Sequence, residues 1–234
     1  MATYVLVHGA WHGGWCWRRV TPLLRAAGHE VFTPTLTGLG ERSHLASPEI
    51  DLHTHIQDVV NVLAYEDLRQ VVLVGHSYGG MVITGVSERA ADRLAHVVYL
   101  DAFVPQNGQA LADLVTPQFR EEMQQQAQAA GGLLPPFPVE QYGVFADADV
   151  RWVRPKLVPH PFKTVITPVQ LARAAGAALP RTYIYCFQPA MGPFDQFAQR
   201  VKVEKDWHYR ELATGHDAMV TMPRELTALL LELA

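Results

Sequence analysis

A short apolar run leads directly into a serine with glycine on both sides, and this feature constrains the fold more than any other. Residues 71–74 read Val-Val-Leu-Val, and residues 75–79 read Gly-His-Ser-Tyr-Gly. The apolar run predicts a buried strand, and the residues after Gly79 favour a helix. Glycine flanks the serine because neighbouring backbones come close in so sharp a turn. The pattern predicts a strand, a strained turn and a helix, with the Ser77 hydroxyl raised above the sheet edge as a nucleophile.

A serine hydroxyl needs a base to remove its proton before it becomes a good nucleophile. Of the 11 histidines in the chain, His216 has the most suitable position. It follows the strand-like residues 207–212 and precedes a C-terminal helix that begins at Pro223. The base of a fold with this nucleophile turn lies in such a loop, after the nucleophile in chain order. We expect His216 to be the base and most other histidines to be ordinary surface or core residues.

The N-terminal strand and the loop after it predict the donors for a negatively charged oxygen. Residues 4–7 read Tyr-Val-Leu-Val, and residues 8–14 read His-Gly-Ala-Trp-His-Gly-Gly. Glycines let backbone N–H groups converge on one point, and the N–H after the nucleophile is the usual second donor. We assign the two donors to Ala10 and Tyr78. A phosphate-binding loop is a poor alternative, because no Gly-Lys-Ser/Thr follows and the Gly-x-Gly-x-x-Gly spacing is absent.

Two aspartates compete for the role of orienting His216. Asp101 ends the strand-like run that follows the nucleophile helix, and it keeps the chain order of nucleophile, acid and base. Asp195 lies in the loop after the predicted strand 182–187, but it also precedes a helix, where an aspartate is well explained as an N-cap. We predict Asp101 as the acid, with Asp195 as the alternative. A buried aspartate that bonds the backbone of the next turn is the other interpretation of Asp101.

Composition narrows the class of protein. The chain has 234 residues, 49% hydrophobic content and a net charge of −4, which are ordinary values for a globular enzyme. No basic stripe points to nucleic acid, and no run approaches the ~18 apolar residues of a membrane span. Cys16 and Cys186 form neither a disulfide framework nor a metal-site spacing, although the sequence leaves a bridge between them open. Because a strand begins near the N-terminus, we expect no signal peptide, and we expect a cytoplasmic location.

Short apolar runs alternate with amphipathic stretches along most of the chain. Strands are predicted at 3–7, 30–35, 70–75, 96–101, 182–187 and 207–212. This alternation predicts an α/β fold, with a mostly parallel sheet of about six strands and helices on both faces. We interpret residues 1–234 as a single domain.

Residues 105–180 break this alternation. They hold 10 of the 16 prolines and no convincing strand, although residues 121–130 are able to form a helix. We interpret 105–180 as an inserted lid over the predicted nucleophile. Its aromatic side chains predict an apolar, partly aromatic pocket; they are Phe119, Phe137, Tyr142, Phe145, Trp152 and Phe162. His44 and His160 are further candidates for the mouth of that pocket.

Three segments resemble a known family. They are residues 8–15 (HGAWHGGW), 75–81 (GHSYGGM) and 100–105 (LDAFVP). Together they resemble the plant methylesterase and hydroxynitrile lyase family of α/β-hydrolases, which includes salicylate-binding methylesterases and has bacterial esterase relatives. The resemblance is close over residues 3–105, weak over 181–234 and poor in the lid. It implies an α/β-hydrolase fold and the hydrolysis of small carboxylic esters without a cofactor.

The acid departs from the pattern of that family. The family has an aspartate three residues after the position of Cys186, where this chain has Pro189. Some α/β-hydrolases place their acid at the strand end that Asp101 occupies. The partner that the resemblance implies is a small hydrophobic or aromatic ester, and the sequence leaves a homodimer open.

Two other functions are alternatives to serine ester hydrolysis. Lyases that resemble this chain carry a threonine in the oxyanion loop and a lysine after the catalytic histidine, where this chain has Ala10 and Asp217. A lysine would stabilise a departing cyanide and an aspartate would repel it, which favours a hydrolase. The second alternative is a ligand-binding receptor on the same fold. Such receptors often lose the nucleophile or the base, and this chain has both Ser77 and His216.

Overall fold

Six parallel strands, all within the described part of the chain, form the sheet around which the other elements pack. The computed structural model describes residues 1–172, 178–190 and 192–233. Its strands are β1 (Thr3–Val7), β2 (Glu30–Phe32), β3 (Val71–His76), β4 (Leu94–Leu100), β5 (Leu133–Leu134), β6 (His160–Pro161), β7 (Arg181–Cys186) and β8 (Trp207–Leu212). Its α-helices are α1 (Thr21–Ala26), α2 (Leu52–Tyr65), α3 (Gly79–Arg89), α4 (Pro117–Ala129), α5 (Asp147–Val153), α6 (Lys163–Ile166), α7 (Phe194–Val203), α8 (Ala218–Thr221) and α9 (Pro223–Leu231). The main sheet has the order β2-β1-β3-β4-β7-β8.

The predicted α/β sheet is confirmed, and most strands begin and end close to their predicted bounds. Strand β2 is shorter than predicted and ends at Phe32. The chain reaches Pro34 two residues later, and proline has no N–H to give to a ladder. The helices pack in two groups, with α2 against α3 and α1 against α9. No helix in the described ranges combines the length and apolar character that a membrane span requires.

The order of the strands determines where a ligand binds. The chain moves outward from β1 to β2 and then returns to the other side of β1 to form β3. Such a reversal leaves a crevice beyond the carboxyl ends of the two central strands. Val7 at the end of β1 lies opposite Gly75 near the end of β3. The loop after Val7 and the turn after His76 therefore meet at this crevice.

The central strands are covered on both faces. Every residue of β3 is buried, as expected for a parallel strand with helices on either side. Cys16 and Cys186 are buried free thiols, so no disulfide joins them. Their role is packing within the core.

The described residues between β4 and β7 form helices and one small strand pair. Helix α4 begins at Pro117, four residues before the predicted helix; Thr116 caps it by accepting from the Phe119 N–H at 3.3 Å. The expectation of no strand in this segment was wrong, because β5 and β6 pair in antiparallel fashion. Each strand has only two residues, so a proline in β6 removes little from the ladder.

Candidate active site

Ser77 lies in a sharp turn between β3 and α3. Its φ is 57°, in the left-handed region that residues with a side chain adopt only at a cost. A Cβ on Gly75 would lie 2.7 Å from the carbonyl oxygen of Gly79, and a Cβ on Gly79 would lie 2.9 Å from that of His8. Close backbone approach therefore requires both glycines. The serine side chain lines an apolar cavity.

His216 lies between β8 and α8, and its neighbours fix the orientation of its ring. Nδ1 of His216 is 2.6 Å from Oδ2 of Asp101. The ring of Phe194 stacks on the imidazole with 4.6 Å between centroids and 15° between planes. An ionised carboxylate only accepts hydrogen bonds, so Nδ1 carries the proton and Nε2 keeps its lone pair. In the neutral tautomer that this contact selects, Nε2 is the nitrogen that accepts a proton.

Asp101 directly follows the last residue of β4 and is fully buried. Its second oxygen, Oδ1, accepts from the backbone N–H of Cys186 at 3.2 Å. Burial raises the pKa of Asp101 above its ordinary value, while the hydrogen bonds from His216 and Cys186 act in the opposite direction. The carboxylate is therefore held by one donor from the end of β7 and one from the loop after β8.

Asp195, the alternative acid, is exposed and lies on α7. Its oxygens accept from Nε2 of Gln199 at 2.6 Å and from the hydroxyl of Tyr185 at 3.3 Å. The expected N-cap role is wrong, because Asp195 is the second residue of α7 and Pro193 occupies the cap. A carboxylate in the first turn still interacts favourably with the helix dipole. Its hydrogen bonds stay within α7 and β7 and do not involve His216.

Ala10 and Tyr78 both line the cavity next to Ser77. A Cβ on Gly9 would lie 2.8 Å from Cβ of Ser77, which shows how closely the loop after β1 approaches the nucleophile turn. Among the described residues, neither the N–H of Ala10 nor that of Tyr78 donates a hydrogen bond. Two free donors therefore lie beside the serine, which is what the stabilisation of an oxyanion requires.

The cavity over Ser77 encloses about 230 Å³ and is almost entirely apolar. Of the six aromatic residues predicted for it, three line its wall: Phe119, Phe137 and Tyr142. Phe145 is 60% exposed instead. Trp152 packs edge-on against Trp15, away from the cavity. Phe162 is also absent from the wall. The larger part of the wall comes from residues that no motif marked.

Sequence reasoning missed more than half of the wall residues. These are Trp11, Phe103, Leu111, Met123, Leu134, Gln141, Val165, Gly192, Pro193 and Phe194. Phe103 and Trp11 lie within the segments that resemble the family. Their position beside the motif residues was the one signal in the sequence that could have placed them in the wall. His160 lines the cavity as predicted, whereas His44 is exposed on a surface turn.

Several buried histidines surround the site in the neutral form. Burial lowers the pKa of His8 to about 3 and that of His55 to about 4. Burial, with the nearby His216 and His12, holds the pKa of His76 well below its usual range. Within the described residues, no group of histidine, cysteine and carboxylate side chains has the arrangement of a metal site.

Asp217 does not face the reacting groups, contrary to the reasoning that an aspartate there would repel a leaving anion. Its side chain is fully buried and its Oδ2 lies 3.0 Å from Nε2 of His12. It is not among the residues that line the cavity. What remains of the argument against a lyase is the absence of a lysine at this position and of a threonine at Ala10.

The sheet order and the arrangement of serine, histidine and aspartate at its carboxyl edge define an α/β-hydrolase. The chain belongs to the alpha/beta hydrolase family, whose sequence model matches residues 4–229. A carbendazim hydrolyzing esterase from Nocardioides sp. (strain SG-4G) is 44% identical to it over 237 residues, which cover 97% of each protein.

The wider relatives agree with the resemblance seen in the motifs. Salicylic acid-binding protein 2 from Nicotiana tabacum is 27% identical over 260 residues, covering 99% of this chain and 96% of the relative. The solved structure of an extracellular α/β-hydrolase from a Paenibacillus species, described as sharing structural and functional homology with the tobacco protein, has a TM-score of 0.88. It is 25% identical and covers 100% of this chain and 99% of its own. The similarity to salicylate-binding relatives is thereby confirmed.

Proposed function

We propose that the protein is a serine carboxylesterase in which Ser77, His216 and Asp101 form the catalytic triad. The observation that carries the proposal is the 2.6 Å contact between Nδ1 of His216 and Asp101, at the cavity that Ser77 also lines. Ester hydrolysis is the activity named for the bacterial relative that matches the whole chain. Fold, site and relatives therefore support the same reaction.

The first half of the reaction transfers the acyl group to the enzyme. Nε2 of His216 takes the hydroxyl proton as Oγ of Ser77 attacks the ester carbonyl. The developing oxyanion accepts from the free N–H groups of Ala10 and Tyr78. The carboxylate of Asp101 stabilises the imidazolium that forms. Collapse of the tetrahedral intermediate expels the alcohol, which receives the proton from His216.

The second half releases the acid and restores the enzyme. A water molecule attacks the acyl-enzyme carbonyl while His216 takes its proton. The same two N–H groups hold the second oxyanion. Expulsion of Ser77, reprotonated by His216, frees the carboxylic acid. No step requires a group from outside the chain other than the ester and water.

The cavity favours small, apolar esters. Its volume of about 230 Å³ is below the ~300–1,000 Å³ typical of pockets for drug-sized ligands. We propose that residues 105–180 act as a lid, since Phe119 and Phe137 from this segment form part of the wall. A compact aromatic or short-chain ester therefore suits the site best. Carbendazim, which the Nocardioides esterase is named for hydrolysing, belongs in any substrate test.

A panel of esters tests the proposal. We expect the wild-type protein to hydrolyse p-nitrophenyl and methyl esters of graded size, with a preference for acyl chains shorter than about eight carbons, because the cavity is small and apolar. Ser77→Ala abolishes turnover if the proposal holds. Activity that Ser77→Ala leaves unchanged contradicts it and favours a ligand-binding receptor. Cyanide release from mandelonitrile above the spontaneous rate, lost in Ser77→Ala, favours the lyase instead.

A further inference from the structure

A second buried histidine–aspartate pair lies directly behind the triad. His12 is 1% exposed and Asp217 is fully buried, and Nε2 of His12 lies 3.0 Å from Oδ2 of Asp217. His12 belongs to the loop after β1, and Asp217 directly follows His216. Neither residue is part of the cavity wall. The pair therefore acts on the site through its neighbours and not by touching a substrate.

The hydrogen bonds of His12 require an additional proton. Nδ1 of His12 lies 2.7 Å from the carbonyl oxygen of Ala10, and Nε2 faces the carboxylate of Asp217. Carbonyl and ionised carboxylate oxygens only accept hydrogen bonds, whereas a neutral imidazole has a single N–H. Both contacts exist together only when His12 is an imidazolium, or when Asp217 holds the proton. In either case the pair contains one proton more than a neutral imidazole with a free carboxylate.

The pair connects the two loops that the proposed reaction depends on. At one end it holds the carbonyl of Ala10, whose N–H is a proposed oxyanion donor. The next residue, Trp11, has a φ of 63°, so the loop adopts a strained backbone that its surroundings have to maintain. At the other end it holds Asp217, whose N–H donates to the carbonyl oxygen of Tyr142 at 2.9 Å. Asp217 directly follows the base, His216, in the chain.

We propose that the His12–Asp217 pair is a positioning device for the hydrolysis, which fixes the oxyanion loop relative to the loop of the catalytic base by means of one shared proton. The proposal rests on the function proposed above. When the proton is present, both ends of His12 are bonded and Ala10 stays aligned with Ser77. When it is lost, one of the two bonds fails and a lone pair of His12 faces an acceptor oxygen inside the protein. Loss of the proton therefore loosens the oxyanion loop.

Most of the titratable groups around the pair are uncharged near neutral pH. The titratable groups that face it from the elements packed around it are His8, Cys16, His76, Asp101, Tyr142, Cys186 and His216. Burial lowers the pKa of His8 and His76 and raises the pKa of Cys16, Tyr142 and Cys186, so these five are uncharged near neutral pH.

The same interactions determine when the pair loses its proton. Burial on its own lowers the pKa of His12, but the charge of Asp217 and the hydrogen bond between them raise it above the ordinary value for histidine. The pair therefore keeps its proton to a higher pH than an ordinary histidine does. We expect an alkaline decline in kcat that belongs to His12.

The variant Asp217→Asn removes the extra proton of the pair but keeps both hydrogen bonds of His12. An asparagine amide donates to Nε2 of a neutral His12, while Nδ1–H still donates to Ala10, so both bonds persist without the extra proton. We expect Asp217→Asn to keep a kcat near the wild-type value at pH 7 and to lose the alkaline decline. Asp217→Ala removes the partner, and we expect a fall in kcat of up to ~10²-fold with little change in KM. Urea unfolding of each variant checks that the fold is intact.

The outcomes distinguish this proposal from the proposed function. A wild-type kcat without an alkaline decline overturns the proposal, and so does a decline that Asp217→Asn retains. A folded Asp217→Ala with wild-type kcat also overturns it. If Asp217→Ala fails to fold, the pH profile of Asp217→Asn decides the question. In all of these cases the wild-type protein still hydrolyses esters through Ser77, whereas failure of the proposed function would leave no Ser77-dependent turnover.

Discussion

The two oxygens of Asp101 are held in different ways, and together they fix the imidazole of His216. One oxygen bonds Nδ1 of the histidine at 2.6 Å, and the other accepts from a backbone N–H at the end of β7. The residue itself has a φ of 42°, so the backbone is strained to present the carboxylate at this position. Strain of this kind persists at sites where the surrounding structure determines the conformation.

Replacing Asp101 by asparagine tests its role in orienting the base. The amide keeps the shape but favours the wrong tautomer of His216, so we expect kcat to fall by ~10⁴-fold with the fold intact. Asp195→Asn is the matched control, because Asp195 is exposed and its partners among the described residues are Gln199 and Tyr185. We expect it to keep nearly full activity. Circular dichroism monitors folding, and an active, folded Asp101→Asn would refute the assignment.

The sequence left open whether Asp101 or Asp195 orients His216, and the reason is physical. Chain spacing gives the order of residues but not which strand ends lie beside one another. Strand β7 lies between β4 and β8 in the sheet, and this order brings the end of β4 near the loop that follows β8. That neighbourhood depends on the assembled sheet. Ser77 and His216 were easier to predict, because each is marked by the local pattern of a strand followed by a turn and a helix.

At the scale of elements, buried strands were predictable and the segment over the site was not. Strand β3 is apolar throughout because both of its faces are covered, and such a run is visible in the sequence. The pair of β5 and β6 has only two residues on each side and no periodicity to detect. The wall of the cavity comes from side chains of several separate elements. Only their packing, and no pattern along the chain, places them together.

Helix α4 limits the size of the cavity, which gives a prediction about substrate length. Phe119 projects from this helix into the wall and packs against Phe137 with 5.6 Å between ring centroids. We expect Phe119→Ala to enlarge the cavity and to raise kcat/KM for longer acyl chains relative to acetate, as measured with p-nitrophenyl esters. Phe145→Ala is the matched control, since Phe145 is 60% exposed and outside the wall. An unchanged chain-length preference in Phe119→Ala would show that this residue does not limit the site.

At the scale of the whole molecule, neutral buried histidines make stability depend on pH. Burial holds the pKa of four of them below the ordinary value near 6.5; they are His8, His55, His76 and His160. Below pH 6.5 the unfolded chain binds protons that the folded chain does not bind. The free energy of unfolding therefore falls as the pH falls from about 6.5 toward about 4.

The slope of this decline follows from the balance of protons. Each lowered histidine contributes up to ~1.4 kcal/mol per pH unit. Asp101, whose raised pKa lets the folded chain bind a proton above the ordinary range of an aspartate, offsets part of this slope, whereas the raised pKa of His12 changes the balance of protons only above pH 6.5. Urea unfolding at pH 7.5, 6 and 5 measures the slope. We expect His55→Gln to make the slope shallower and the exposed His44→Gln to leave it unchanged. A free energy of unfolding that stays constant between pH 7.5 and 5 would contradict this account.

The cytoplasmic location stays a prediction from the sequence, and the homodimer stays as open as the sequence left it. Neither follows from the arrangement of the sheet or the site. The enzymatic activity depends on neither of them, because every proposed catalytic group comes from one chain.

The most direct measurement of the central claim identifies the nucleophile by covalent labelling. An organophosphate esterifies an activated serine and stays bound, so digestion and mass spectrometry locate the modified residue. We predict stoichiometric labelling on Ser77 that abolishes ester turnover, no label in Ser77→Ala, and much slower labelling in His216→Ala. Label on another residue, or an active protein that stays unlabelled, would contradict the assignment of Ser77 as the nucleophile.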